Sequence, residues 1–260
     1  MIKELEQKIM DAEYVLVGIG EEFQVDYKEI MNIPEFSHVL KQSQKDEALS
    51  WVQPYLIHEY IRSGNFEKYR EAYENLSKLL NGKDYQIIST CTDDLIYQSS
   101  LEKDRIVTPC GTFYQMQCEK NCGGDVEDGE NVAFSVTKDI LTKQDDLKSV
   151  IRPICENCGG YFVFNTIFEE NYDENGYKEA WNRYSGWLQK TVNRKLVILE
   201  LGVGMTYPSV IRFPFEKTSY FNKKSTFYRI NEGIYQLSEQ TEKRGAGINE
   251  NAVTFLKRMF

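Results

Sequence analysis

Leu196-Val197-Ile198-Leu199-Glu200-Leu201-Gly202-Val203-Gly204 is the stretch that decides the fold. Its apolar run is broken only by Glu200 and does not alternate, as expected of a strand covered on both faces of a parallel sheet. Two glycines follow at once. At the carboxyl end of such a strand, a glycine turn lets an anionic ligand approach backbone N–H groups. The N-terminus repeats the pattern. Ile2, Leu5 and Ile9 mark one helix face, and Tyr14-Val15-Leu16-Val17 runs into Gly18-Ile19-Gly20. Helix, buried strand and glycine turn are how a parallel α/β sheet begins.

Three more strands read outward from these two. Tyr85-Gln86-Ile87-Ile88-Ser89 leads into Thr90-Cys91-Thr92-Asp93-Asp94, and Arg105-Ile106-Val107 leads into Pro109-Cys110-Gly111. Phe227-Tyr228-Arg229-Ile230 ends at Asn231. Residues from about 35 to 80 are predicted helical, with Pro54 as a boundary and Asn81-Gly82 as the stop. Ala180, Tyr184, Trp187 and Leu188 mark an aromatic helix, and Thr206-Tyr207-Pro208-Ser209 suits a helix N-terminus. Ile248, Ala252, Phe255 and Leu256 mark a last helix. The expected class is α/β: a Rossmann-like parallel sheet with a small zinc-ribbon insert and a helical module. A single domain spans 1–260, with 1–34, 83–112 and 194–260 as the Rossmann-like part. Residues 35–82 form the helical module, 113–165 the insert and 166–193 a connecting helical segment.

The insert is read from cysteines. Cys118 and Cys122 form a C-x3-C pair, and Cys155 and Cys158 form a C-x2-C pair followed by Gly159-Gly160. Two close pairs on separate loops read as a four-thiolate, tetrahedral structural zinc site, with a pair of disulfides or chance spacing as the alternatives. Four protein ligands leave no position for water, so such a zinc organises loops and does no chemistry. The other two cysteines, Cys91 and Cys110, stand just beyond predicted strands.

Charge narrows the partners. The net charge is 31 − 40 = −9, with no long Lys/Arg cluster, which disfavours a nucleic-acid surface. No window approaches the apolar length of a membrane span, and MIKELEQKIM lacks the apolar core of a signal peptide. Metal-spaced cysteines without an export signal point to the cytoplasm. His38 and His58 stand alone in the helical region, so each reads as a surface or packing residue, and any general base is another group. Neither Gly18-x-Gly20 nor Gly202-x-Gly204 completes a G-x-G-x-x-G, because position 23 is Phe and position 207 is Tyr.

In this order the motifs resemble a sirtuin, the NAD-consuming deacylase family built on a Rossmann-like domain with a zinc ribbon. The segments most similar to the macrodomain-linked (class M) microbial branch are Pro109 to Cys118, Arg152 to Gly160, and Leu199 to Gly204 continuing through Pro208 and Ile211-Arg212-Phe213-Pro214-Phe215-Glu216. The resemblance implies NAD lying across the strand ends. Gly18, Gly20, Glu22, Thr90, Gly202, Gly204 and Asn231 would then surround its phosphates and riboses, and Asp93 its nicotinamide end.

The departures bear on chemistry. Sirtuins open with Gly-Ala-Gly-x-Ser, whereas this chain has Gly18-Ile19-Gly20-Glu21-Glu22. Two like charges about 4 Å apart cost roughly 1 kcal/mol in water and about 4 at a partly buried site. The larger figure weakens binding on the order of a thousandfold. The family's pocket Asn is Cys91, and its catalytic His, Gln in class M, is Cys110. In deacylation that His deprotonates a ribose hydroxyl, so its loss argues against ordinary deacylase turnover. A thiolate could act as base or nucleophile if a cation or helix terminus lowered its pKa, and Cys91 and Cys110 could form a redox pair. The bland reading of both is space-filling.

The expected function is therefore NAD-dependent protein ADP-ribosylation of sirtuin type, with Cys110, Asp93 and Cys91 as the catalytic-site residues. The resemblance implies a protein acceptor, with a lipoyl-carrier protein and a macrodomain protein as candidate partners. A catalytically silent fold that binds a nucleotide or a protein is the alternative. A residual deacylase or NAD glycohydrolase comes third.

Overall fold

Every residue of Tyr14–Ile19 except the first is buried, because this strand, β1, lies inside a six-stranded sheet with helices on both faces. The computed structural model describes residues 2–260. In chain order, α1 (Ile2–Asp11) and β1 are followed by short 3-10 turns, α2 (Pro34–Ser43), α3 (Gln53–Ser63) and α4 (Glu67–Leu79). Next come β2 (Asp84–Ser89), β3 (Ile106–Val107), β4 (Gly111–Cys118), β5 (Glu127–Asp128), α5 (Glu130–Thr142), β6 (Phe162–Thr166) and α6 (Asn175–Lys190). The chain closes with β7 (Leu196–Leu201), α7 (Arg212–Phe221), β8 (Thr226–Ile230), α8 (Glu239–Glu242), β9 (Gly245–Ile248) and α9 (Ala252–Lys257).

The large sheet is parallel throughout, in the order β3-β2-β1-β7-β8-β9. Order reverses on either side of β1, which places a crevice over the carboxyl ends of β1 and β7. Side chains of β1 alternate between two cores. Val15, Val17 and Ile19 pack with Leu5, Tyr73, Leu76 and Phe255 from α1, α4 and α9. Leu16 packs on the other face with Trp187 of α6 and Phe215 of α7. Both faces being covered explains the unbroken apolar runs.

A smaller antiparallel sheet, β5-β4-β6, carries the cysteine loops. It leans on the helical region through His58 of α3, whose ring lies against Phe164 and Tyr114. His38 is exposed beside Asp145.

The structure departs from the sequence reading at four places. Gly18 lies inside β1, paired with Ile88 and Glu200, and its missing side chain makes room for Ile211 and Phe215. Thr206–Ser209 is not helical: the helix begins at Arg212, beyond Pro208, after a turn. Ile248 ends a sixth strand, β9, and does not share the last helix. Finally, residues 130–142 of the cysteine-bearing stretch form α5, which packs on α3, with the Thr137 hydroxyl donating to the Tyr55 carbonyl at 3.3 Å.

Candidate functional site

The four cysteines of the small sheet converge. Their sulfurs all lie within 4.8 Å of one another, with Cys118–Cys158 at 3.5 Å and Cys122–Cys155 at 3.7 Å. A tetrahedron of thiolates about 2.3 Å from zinc has edges of about 3.8 Å, so the cluster fits that ion. Local backbone produces the convergence. Cys118 ends β4, the chain reverses through Asn121 and Gly123 at positive φ, and Gly159 at φ 69° turns the second loop. N–H donors already face the sulfurs: Lys120 N to Cys118 and Gly160 N to Cys158 at 3.4 Å, and Asn157 Nδ2 to Cys122 at 3.3 Å. Zinc held there would fix the loops as a structural ion.

The second constellation sits over the carboxyl ends of β1, β2, β7 and β8. Asp93, fully buried, accepts from Val25 N at 2.8 Å, Leu95 N at 3.2 Å and Gln24 Nε2 at 3.3 Å. Burial pushes its carboxyl up to about 6 although two of these backbone donors pull it down. Thr90 N donates to the Ile19 carbonyl at 3.0 Å and thus extends the β1–β2 ladder by one residue. Gln24 Oε1 accepts from Thr92 N at 2.9 Å, and the Tyr27 hydroxyl meets Thr92 Oγ1 at 2.9 Å.

On the β7 side, Gly202 adopts φ 61° and a Cβ there would meet Glu22 Cβ at 2.6 Å. A Cβ on Gly204 would collide with the Glu21 carboxylate, and one on Gly20 with the Val203 backbone. Asn231 joins the β7 and β8 turns: its Nδ2 donates to the Val203 carbonyl at 3.3 Å and its Oδ1 accepts from Ile234 N at 3.0 Å. Arg212 also donates to the Val203 and Ile234 carbonyls.

The glutamates have definite partners. Glu22 Oε1 accepts from Glu232 N and Oε2 from Ala252 N, both at 2.6 Å, and Glu21 Oε1 accepts from Thr206 N at 2.8 Å. Burial raises the Glu22 carboxyl, while these amides oppose the rise.

Among the described residues no cysteine is in a disulfide. Cys91 donates through Sγ to the Gly20 carbonyl at 3.4 Å, and burial followed by Asp93 drives its pKa far upward. Cys110 is wholly buried, and burial alone pushes its thiol up to about 12. Among the described residues no cation is among the groups that shift either thiol, so nothing there holds a thiolate.

Sequence reasoning missed Gln24, Tyr27, Arg212 and Asp94. Asp94 stands at φ 62° and borders a cavity of about 650 Å³ lined also by Tyr97, Thr108, Thr112, Tyr114 and Tyr177, beyond the β3 edge. Burial and then Asp93 raise it to about 8. A non-glycine residue at positive φ, next to a carboxylate, is a signal that only coordinates reveal.

The six-strand parallel sheet and the small cysteine-bearing sheet together define the sirtuin (Sir2) fold. A Sir2 homologue in complex with NAD superposes with a TM-score of 0.61 at 15% identity, covering 99% of this chain and 91% of that one. Sir2 bound to an acetylated peptide gives 0.58 at 17% identity, covering 99% and 96%. In sequence, the chain is similar to a protein ADP-ribosyltransferase of Staphylococcus aureus, 21% identical over 252 residues, 95% of this chain and 79% of that protein. A probable bifunctional ADP-ribose hydrolase/ADP-ribosyltransferase of Fusarium oxysporum f. sp. cubense is 29% identical over 139 residues, 52% of this chain and 23% of that protein. No protein-family model matches the chain. Among the described residues no helix is long and apolar enough to cross a membrane.

Proposed function

We propose that this chain is a sirtuin-type, NAD-dependent protein ADP-ribosyltransferase. The observation that carries the choice over deacylation is Cys110. It stands where the resemblance puts the deacylase base, and its buried thiol, pushed up to about 12, is a poor proton acceptor at neutral pH. Similarity to the Staphylococcus aureus ADP-ribosyltransferase along 95% of the chain supports the same reading.

When bound, NAD supplies an ADP-ribosyl group with nicotinamide as leaving group. The chain's own residues bind and orient. Asp93 and Thr92 N form an acceptor–donor pair suited to a carboxamide. Gly20, Gly202 and Gly204, with Thr90 and Asn231 beside them, line the crevice for phosphate and ribose. Gly18 acts from within β1 by admitting α7. Cys91 and Cys110 fill the pocket wall and exclude water. The acceptor is a protein, with a lipoyl-carrier protein as candidate and a macrodomain protein as companion, in the cytoplasm.

Calorimetry on zinc-loaded protein tests this. NAD binding that weakens at least tenfold in Asp93→Asn supports the reading, and no heat at millimolar NAD from either the native chain or Glu21→Ala/Glu22→Ala counts against every enzymatic version. The second reading, a silent nucleotide- or protein-binding fold, is favoured by the contacts of Glu21 and Glu22.

A further inference from the structure

Three side chains of one short segment hold polar groups that a dinucleotide would need. The carboxylates of Glu21 and Glu22 lie on Gly204 and Gly202, the two positions where absence of a Cβ opens the β7 turn. They take backbone donors from two separate turns, Thr206 N after β7 and Glu232 N after β8, together with Ala252 N. Gln24 presents a carboxamide to Thr92 N and Asp93 Oδ2, at 2.9 and 3.3 Å. Nicotinamide carries the same functional group. An acceptor amide oxygen on Thr92 N and a donor NH2 on Asp93 are what its carboxamide would offer there.

From these contacts we infer that the Glu21–Gln24 segment is an internal ligand, which closes the dinucleotide crevice until its side chains are displaced. The inference rests on the reading of the crevice as a dinucleotide site. Two adjacent glutamates mimic anionic phosphates at glycine turns, and a glutamine mimics the nicotinamide end. In a chain of net charge −9, placing adjacent carboxylates side by side is unfavourable in itself, and the backbone donors offset that repulsion.

The segment is built to release without unfolding. Phe23, between the glutamates and the glutamine, is fully buried with its ring 5.1 Å from that of Tyr73. Glu21 is exposed, while Glu22 and Gln24 are half-buried. Rotamer changes at these three therefore clear the crevice while the anchor stays in place.

Fragments test the inference separately from the enzyme. On zinc-loaded protein, Gln24→Ala should take nicotinamide at least tenfold more tightly than the native chain. Glu21→Ala/Glu22→Ala should take inorganic pyrophosphate at least tenfold more tightly, with NMR shifts at the Thr206 and Glu232 amides. Glu21→Gln/Glu22→Gln, which keeps side-chain shape, should show the pyrophosphate gain if the alanine pair folds poorly. No gain for either fragment in folded variants overturns the inference, whatever NAD does. Fragment gains without NAD binding by Glu21→Ala/Glu22→Ala/Gln24→Ala sustain the inference and defeat the dinucleotide reading. NAD binding to the native chain without fragment gains does the reverse.

Discussion

Replacing Arg229 by Met is expected to destabilise the chain by about 4 kcal/mol. Arg229 is 2% exposed and Glu200 is 0% exposed, and they form a two-pronged pair: Nε to Oε1 at 2.6 Å and Nη2 to Oε2 at 3.1 Å. The same guanidinium donates to Glu216 Oε1 at 2.8 Å and to the Gln236 carbonyl at 2.6 Å. Methionine leaves Glu200 charged in the sheet interior, with Arg212 at 3.9 Å as its nearest remaining cation. Breaking one side of a buried pair typically costs 3–5 kcal/mol, because the stranded charge keeps its desolvation penalty. Removing both charges together, in Glu200→Leu/Arg229→Met, deletes that penalty and should cost no more than about 1–2 kcal/mol. Urea unfolding of the zinc-loaded single and double variants reads the difference as a strongly negative coupling. A single-variant loss below about 1 kcal/mol, or a double variant as unstable as the sum of the singles, refutes the reasoning. The consequence reaches the crevice, since Glu200 lies two residues before Gly202 and Arg229 two before Asn231.

Acid should weaken the fold through His58, whose buried ring nitrogens have no hydrogen-bond partner among the described residues and whose pKa burial lowers to about 4. The unfolded chain binds the extra proton below about 6.5, so stability falls from there to pH 4, by about 3 kcal/mol. His58→Phe should lose that slope, and parallel pH profiles for the two proteins would dismiss the effect. Metal analysis should find one zinc per chain, and chelation should lower the melting temperature and loosen the small sheet; an unchanged melt after complete removal argues against a structural ion. Gly245→Ala should unfold or severely destabilise the chain, since the new Cβ would collide with the Phe227 carbonyl in the paired strand, and a melt within a degree or two of native would contradict that register. Cys110→Ser should leave ADP-ribosyl transfer within about threefold, whereas a loss beyond about a hundredfold would make Cys110 a base or nucleophile.

Much of the sheet was legible because its strands are covered twice. The runs 14–17, 85–89 and 196–201 had only one structural meaning, and the cysteine spacing carried the metal cluster. What sequence concealed has specific causes. Gly245-Ala246-Gly247-Ile248 offers no strand propensity, and it becomes β9 only because β8 supplies a ladder. Helix α5 lay hidden between cysteine pairs that dominate the reading of that stretch. Gln24 and Asp93 are 69 residues apart, so their contact belongs to the tertiary fold alone. Glu21 and Glu22 were visible as residues that disfavour phosphate, but the direction of a carboxylate is decided by the amides that receive it. Structure turned their repulsion into an occupied crevice.

The central claim is tested most directly by incubating zinc-loaded protein and a candidate acceptor with NAD, then weighing protein and small molecules by mass spectrometry. The account predicts free nicotinamide in equal amount to an ADP-ribosyl adduct on protein, at a higher rate in Glu21→Ala/Glu22→Ala. Removal of an acyl group from a peptide, or free ADP-ribose with no protein adduct, would contradict it.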